Sequence, residues 1–259
     1  MNIRNHFPTE ELQKRDAAHH LHPFTAQHDL ANKGSKIITS AQGVYVYDSN
    51  GEELLDAMAG LWCVNIGYGR EELAQAAERQ MRELPYYNTF FQTTHIPAID
   101  LSEKLAKLAP RDLNHVFYAG SGSEANDTNI RIVRQYWALL GHAEKNIIIS
   151  RKNAYHGSTL GGASLGGMNA MHQQGGLPIP NVQHINQPDW WAEGGELSPE
   201  EFGLARAREL EEAIVEFGEK RVAAFIAEPV QGAGGVIVAP DTYWPCLLYT
   251  SPSPRDLST

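Results

Sequence analysis

Between residues 115 and 227, short apolar runs alternate with segments whose apolar residues recur every three or four positions. This alternation restricts the fold more than any other feature of the chain. In order, the sequence predicts a strand over 115–119, a helix over 124–140 and a strand over 146–150. A glycine-rich loop over 157–176, a strand near 182–186, a helix opening at Ser198 and a strand over 222–227 follow. Ser198 suits an N-cap, Pro199 the first helical position and Glu201 a capping box, with Leu204, Leu210, Ile214 and Phe217 along the apolar face. Strands spaced by helices are joined by crossovers, which lay them parallel and cover both faces of the sheet. The expected class is therefore α/β, with a mostly parallel central sheet covered by helices.

Ahead of this region the pattern is different. A short polar helix is expected over 9–20, then a hairpin through Ile37–Ile38, Val44–Tyr47 and Leu54–Leu55 that turns at Asn50–Gly51. Helices are predicted over 70–84, with Leu73, Ala77, Met81 and Leu84 on one face, and over 97–109, with Leu101, Leu105 and Leu108. His19, His20 and His22 raise the question of a metal. No acidic or cysteine partner stands out at ligand spacing, so surface and turn histidines are expected and no metal site is assigned.

The 259 residues suit one large domain or two small ones. A net charge of −10 argues against nucleic acid or an anionic membrane as the main partner. Cys63 and Cys246 have no paired or metal-like spacing. No apolar run approaches the roughly 18 residues of a membrane span, and a cytoplasmic location is the expectation.

The turn Ala119–Thr128, AGSGSEANDT, lies between a predicted strand and a predicted helix. Unpaired N–H groups of a first helical turn and the helix dipole favour an anion at such a place. Gly120 and Gly122 let the backbone approach closely, and Ser121 and Ser123 add hydroxyl donors. The run Gly120–Ala125 also fits the G-x-G-x-x-A dinucleotide pattern. At the end of the next strand, however, stand Ser150, Arg151 and Lys152 rather than the acidic residue that grips a ribose. Arg151 leaves an NADP-linked oxidoreductase open as an alternative, although Arg151–Lys152 reads more simply as a solvated end-of-strand pair. Two further loops fall at the same sheet edge. One carries Tyr155, whose ring can stack on a flat ligand, and the other carries Glu228 in AEPVQGAGG.

With these residues assembled, the chain resembles the class III aminotransferases, pyridoxal-phosphate enzymes of fold type I, in their ω-amino acid:pyruvate branch. The resemblance rests on SGSEAND at Ser121–Asp127, AYHGST at Ala154–Thr159 and AEPVQGAGG at Ala227–Gly235. GLWCVNIGYG at Gly60–Gly69 and LPYYNTFFQTTH at Leu84–His95 add to it. It implies that Ser121, Gly122 and Ser123 bind the cofactor phosphate, that Tyr155 stacks on the pyridine ring and that Glu228 lies beside the cofactor. Trp62 would wall the substrate pocket, with Phe24 and Phe90 contributing across a homodimer interface. The resemblance further implies that residues 1–60 are an N-terminal segment belonging to a small domain, and that 61–245 are the first part of the large cofactor-binding domain.

Residues 246–259 break the pattern. After Asp241–Trp244, which opens like a helix, Pro252 and Pro254 are expected to forbid one, and CLLYTSPSPRD resembles a translated sequencing-library adapter. On this reading the tail is non-native, and the Schiff-base lysine and the pyridine carboxylate of the family lie beyond the chain. No lysine present matches the family's position. The encoded enzyme is expected to move an amino group from a diamine or ω-amino acid to pyruvate, and the chain alone is expected to be inactive. A non-catalytic pseudo-enzyme subunit is a further alternative, and within the family an aminomutase or a decarboxylase stays open.

Overall fold

The computed structural model describes residues 8–110 and 113–250, and the backbone separates into two compact units, 1–108 and 109–259. The tail residues 251–259, including Pro252 and Pro254, lie outside the described residues.

The first unit opens with α1 (Thr9–His19) and α2 (Gln27–Lys33). Strands β1 (Ile38–Gln42), β2 (Tyr45–Asp48) and β3 (Glu53–Leu55) form an antiparallel sheet in that order. Its second turn is fixed by the buried Asp48, whose Oδ1 accepts the N–H groups of Asn50 and Glu52, both at 2.9 Å. Gly51 takes the positive φ of 82° that this turn requires. The one-turn α3 (Ala59–Trp62), α4 (Glu71–Glu83) and α5 (Ile96–Leu108) complete the unit. The periodicity of α4 and α5 was sufficient to form helices, yet neither helix contains a fully buried residue. Leu73, Met81 and Leu101 are exposed.

The second unit holds the parallel sheet. It contains α6 (Gly122–Leu139), β4 (Ile147–Arg151), α7 (Leu160–Leu165), α8 (Asn169–His172), β5 (Val182–Ile185) and α9 (Trp190–Glu193). Then come α10 (Pro199–Phe217), β6 (Val222–Phe225), the short pair β7 (Val230–Gln231) and β8 (Ile237–Val238), and α11 (Tyr243–Thr250). The strand order is β5-β4-β6, with both pairings parallel. The alternation of β4 divides the core between the two faces. Ile147 and Ile149 pack with Ile185, with Ala207, Leu210 and Ala213 of α10, and with Tyr243 and Leu247 of α11. Ile148 points the other way, toward Val182, Ile130 of α6 and Leu165 of α7. Each such buried aliphatic side chain contributes about 2 kcal/mol. The capping box of α10 is present as predicted, with Glu201 N–H on Ser198 Oγ at 3.2 Å and Ser198 N–H on Glu201 Oε2 at 3.0 Å.

Three expectations are corrected. Residues 115–119 form no strand, because no neighbouring strand among the described residues pairs with them, and Phe117 and Tyr118 face solvent. The segment 157–176 is not a loop but carries α7 and α8. Gly161 serves close packing, since a Cβ there would stand 2.3 Å from Asp127 Oδ1. Finally, α11 runs through Thr250, and Leu247 is 3% exposed within the core. Pro252 restricts the residue before it and not the preceding turns, while Pro245 falls in the first turn, where its missing N–H is tolerated.

Candidate functional site

The start of α6 is built by its own sequence. Ser121 is the N-cap, and its Oγ accepts the Glu124 N–H at 3.1 Å; Glu124 reaches back to the Gly120 N–H at 2.7 Å. These bonds leave the N–H groups of Gly122 and Ser123 without an acceptor among the described residues. A Cβ placed on Gly122 would meet no atom within 4 Å, so the helix start is open. Ser121 Oγ and Ser123 Oγ each accept a backbone N–H, which leaves each hydroxyl hydrogen available to donate. Two free N–H groups, two hydroxyl donors and the positive end of an 18-residue helix are the chemistry that can receive an anion.

The loop after β4 is bolted to this cup. Ser158 N–H donates to Ser123 Oγ at 3.0 Å, and Asn126 Nδ2 donates to the His156 carbonyl at 2.7 Å. Thr159 Oγ1 and Gly162 N–H both donate to Asp127 Oδ1, at 2.7 and 2.9 Å. Gly157, at φ 131°, lies so close to Ser123 that no side chain fits between them. Asn126, Asp127 and Thr159 were not singled out from the sequence. The signal was there: Asp127 follows Ser123 by four, which places both on one face of α6.

Glu228, after β6, ties in the third loop. Its Oε1 accepts the Tyr155 N–H at 3.0 Å and its Oε2 accepts the Gly232 N–H at 3.2 Å. Gln231 Nε2 adds a bond to the Lys152 carbonyl at 2.9 Å. Glu228 makes no ion pair among the described residues, so a plain salt-bridge role does not account for it. Tyr155 keeps 37% of its surface accessible at this edge. His156 is buried beside it with Nε2 unpartnered. Burial pushes its pKa down; Arg151 adds to the shift, and Glu228 opposes it.

Arg151 corrects the sequence reading. It is not a solvated end-of-strand residue but 1% exposed, with Nη2 donating to the Glu228 carbonyl and its guanidinium 5.3 Å from the Trp244 ring centre. It is thereby withdrawn from any ribose 2′-phosphate. Lys152, by contrast, is exposed and donates to Asn186 Oδ1 at 2.7 Å.

Ser121, Gly122, Ser123, Tyr155 and Glu228 thus all fall on connected loops of the second unit. Phe24, Trp62 and Phe90 belong to the first unit, where they are 79%, 60% and 69% exposed. Phe24 and Trp62 have positive φ, 48° and 64°. The histidine segment also departs from expectation. Asp16 supplies the acidic partner that the sequence reading missed, with His20 Nδ1 at 3.1 Å and His22 Nε2 at 2.9 Å.

A parallel sheet covered on both faces, with an open helix start and an aromatic and a carboxylate on the adjoining loops, is the architecture of a pyridoxal-phosphate enzyme of fold type I. The chain belongs to the class III aminotransferases, matching that family over residues 29–249. It is 62% identical over 237 residues to putrescine–pyruvate aminotransferase of Pseudomonas aeruginosa, covering 92% of this chain and 52% of that protein. It is 44% identical over 227 residues to the mitochondrial γ-aminobutyrate transaminase 1 of Oryza sativa subsp. indica, covering 86% and 44%. Among solved structures, the thermostable (S)-enantioselective ω-transaminase from Thermomicrobium roseum superposes with a TM-score of 0.90 at 43% identity, covering 94% of this chain and 54% of that one. The ω-transaminase from Pseudomonas jessenii in complex with PMP gives 0.89 at 41%, covering 92% and 53%. The chain spans about half the length of the curated relatives it matches. Class III aminotransferases depend on pyridoxal phosphate, and family membership replaces the oxidoreductase alternative.

Proposed function

We propose that this chain is the first half of an aminotransferase that moves an amino group from a diamine or ω-amino acid to pyruvate. The observation that carries the reading is the cup at Ser121–Ser123, bolted through Ser158 and Asp127 to the Tyr155 loop and through Glu228 to the third loop. The donor set fits a phosphate monoester: free N–H groups at Gly122 and Ser123 and hydroxyls at Ser121 and Ser123, with the Glu124 carboxylate taken up by the Gly120 N–H. Gly122 and Ser123, with Ser121 adjacent, would hold the phosphate, Tyr155 would stack on the pyridine ring, and Glu228, which accepts the Tyr155 N–H, would lie beside the cofactor. When bound, the cofactor supplies the electron sink that lets an amino group pass between carbon skeletons. Trp62 would wall the substrate pocket, with Phe24 and Phe90 contributing across the dimer interface.

The exposed apolar faces of α4 and α5 support a homodimer as the working form. A groove of about 1090 Å³ along α6, lined by Phe117, Ile132, Tyr136 and Leu139 among others, supports further sheet structure packing there in the whole enzyme. In this reading residues 1–60 belong to a small domain, 61–245 to the large one, and 246–259 are foreign. The lysine that anchors the cofactor lies outside the chain, and the chain alone is inactive. A cytoplasmic location accords with the described residues, in which no helix is long and apolar enough to cross a membrane.

The test compares the complete gene product with residues 1–259, each supplied with pyridoxal phosphate, putrescine and pyruvate. Alanine formation by the complete enzyme and none by the shorter chain is expected. Turnover by residues 1–259, or none by the complete enzyme with any diamine or ω-amino acid, would overturn the reading.

A further inference from the structure

We propose that Asp16, His20 and His22 form a binding site for a late first-row divalent metal ion of the zinc, nickel or copper kind. The three residues supply one carboxylate and two imidazoles, the donor set that such ions prefer. Their ligand atoms all lie within 4.8 Å of one another. His20 Nδ1 stands 3.1 Å from Asp16 Oδ1, and His22 Nε2 stands 3.0 Å from Oδ1 and 2.9 Å from Oδ2. Ligands held about 2.0–2.2 Å from one tetrahedral ion lie about 3.3 Å apart. On the two Asp16 edges the cluster is therefore within a few tenths of an ångström of that spacing. The imidazoles approach one carboxylate from different ring atoms, Nδ1 and Nε2, with ring centres 4.1 Å apart. That convergence is unlike two histidines resting independently on a surface.

The surroundings favour a cation. Asp16 and His20 sit in the last turn of α1, where the helix dipole is negative, and His20 is the C-cap with its N–H on the Asp16 carbonyl at 2.8 Å. Asp16 and His22 are mostly covered, and His20 is open to solvent, which leaves an approach for the ion and a fourth position for water. The bound ion would clip the end of α1 to the segment that leads, two residues after His22, into Phe24. The site is independent of the catalytic reading, because none of its ligands belongs to the cup.

The experiment titrates chelator-stripped residues 1–259 with Zn²⁺ by calorimetry and with Co²⁺ by its visible d–d absorption. Saturable binding of one equivalent and a tetrahedral Co²⁺ spectrum are expected. Asp16→Asn and His22→Gln should each weaken binding by about 100-fold or more, as loss of a direct ligand exceeds the loss of an outer partner. His19→Gln, outside the cluster, should leave it unchanged. Circular dichroism confirms that each variant keeps its helices. Absence of saturable Zn²⁺ binding, or binding by Asp16→Asn and His22→Gln as tight as by the parent, overturns the proposal.

Discussion

The contact between Gly157 and Ser123 is where the cup can be broken with least disturbance elsewhere. A Cβ at residue 157 would stand 2.6 Å from Ser123 Oγ and 2.8 Å from Ser123 Cα, on a backbone at φ 131°. For Gly157→Ala the backbone strain alone costs about 1–3 kcal/mol. Moving the loop to relieve the overlap also breaks the bond from Ser158 N–H to Ser123 Oγ, which adds about 1 kcal/mol. The expected loss is thus about 2–4 kcal/mol. Urea denaturation followed by tryptophan fluorescence measures it, alongside Ser123→Ala, which removes the hydroxyl and should cost about 1 kcal/mol. The double variant separates backbone from side chain. Because the Cα overlap and the positive φ persist without the hydroxyl, it should remain as unstable as Gly157→Ala. Inorganic phosphate should also bind both glycine variants more weakly, since the loop braces the helix start. Recovery of parental stability in the double variant would show that the side chain, not the backbone approach, dictates glycine here.

Other perturbations probe different parts of the same assembly. Asp127→Asn weakens charge-assisted bonds from Thr159 and Gly162, so a loss of about 1–3 kcal/mol is expected in the same denaturation assay. An unchanged midpoint would remove Asp127 from the account. Arg151→Met leaves the Glu228 carbonyl without its charged donor and should lower stability by about 1.5–3 kcal/mol, while Lys152→Met, at an exposed site, should not. The histidines set a pH response. Burial lowers the folded-state pKa of both His156 and His184, so the unfolded chain binds more protons between the folded values and the ordinary value of about 6.5. Stability is then full above that ordinary value and falls as pH drops toward the folded ones. A His156→Gln, His184→Gln chain whose melting temperature falls as steeply from neutral to mildly acid pH as the parent's would contradict this. In the first unit, backbone N–H donors, Glu52 first, lower the pKa of Asp48. Its contribution is present above about pH 4 and lost below it, and Asp48→Asn should flatten the acid limb of the thermal melt.

The parallel sheet, its two covered faces and the capped α10 were legible because periodicity and capping chemistry are local. Ile147, Ile148 and Ile149 read as a strand whatever surrounds them, and Ser198–Glu201 closes its box within four residues. The candidate cup was legible for the same reason: a small-residue turn before a helix carries its anion chemistry in its own backbone. What depends on distant partners was not. His115–Tyr118 reads as a strand but joins no sheet among the described residues. Arg151 looks solvated until β6 and α11 place a carbonyl and an indole against it. Gly161 suggests a loop until Asp127 and Ile130 show that it is a spacer between α6 and α7. Asp16 joins His20 and His22 only once α1 has wound and the chain has turned back on it.

The bonds made by Glu228 also carry a consequence for how the protein is made. Ser123 meets Ser158 across 35 residues, but Tyr155 meets Glu228 across 73. On a ribosome the first loop can therefore close long before the carboxylate that fixes Tyr155 has been synthesised. Contacts of larger separation close later and against a greater entropy loss. The nascent chain holds an anion grip with an untethered aromatic until residues 228–232 emerge and β6 docks on β4. Of the three loops, the one that carries Tyr155 is in this way the last to be tethered, once the sheet that supports it exists.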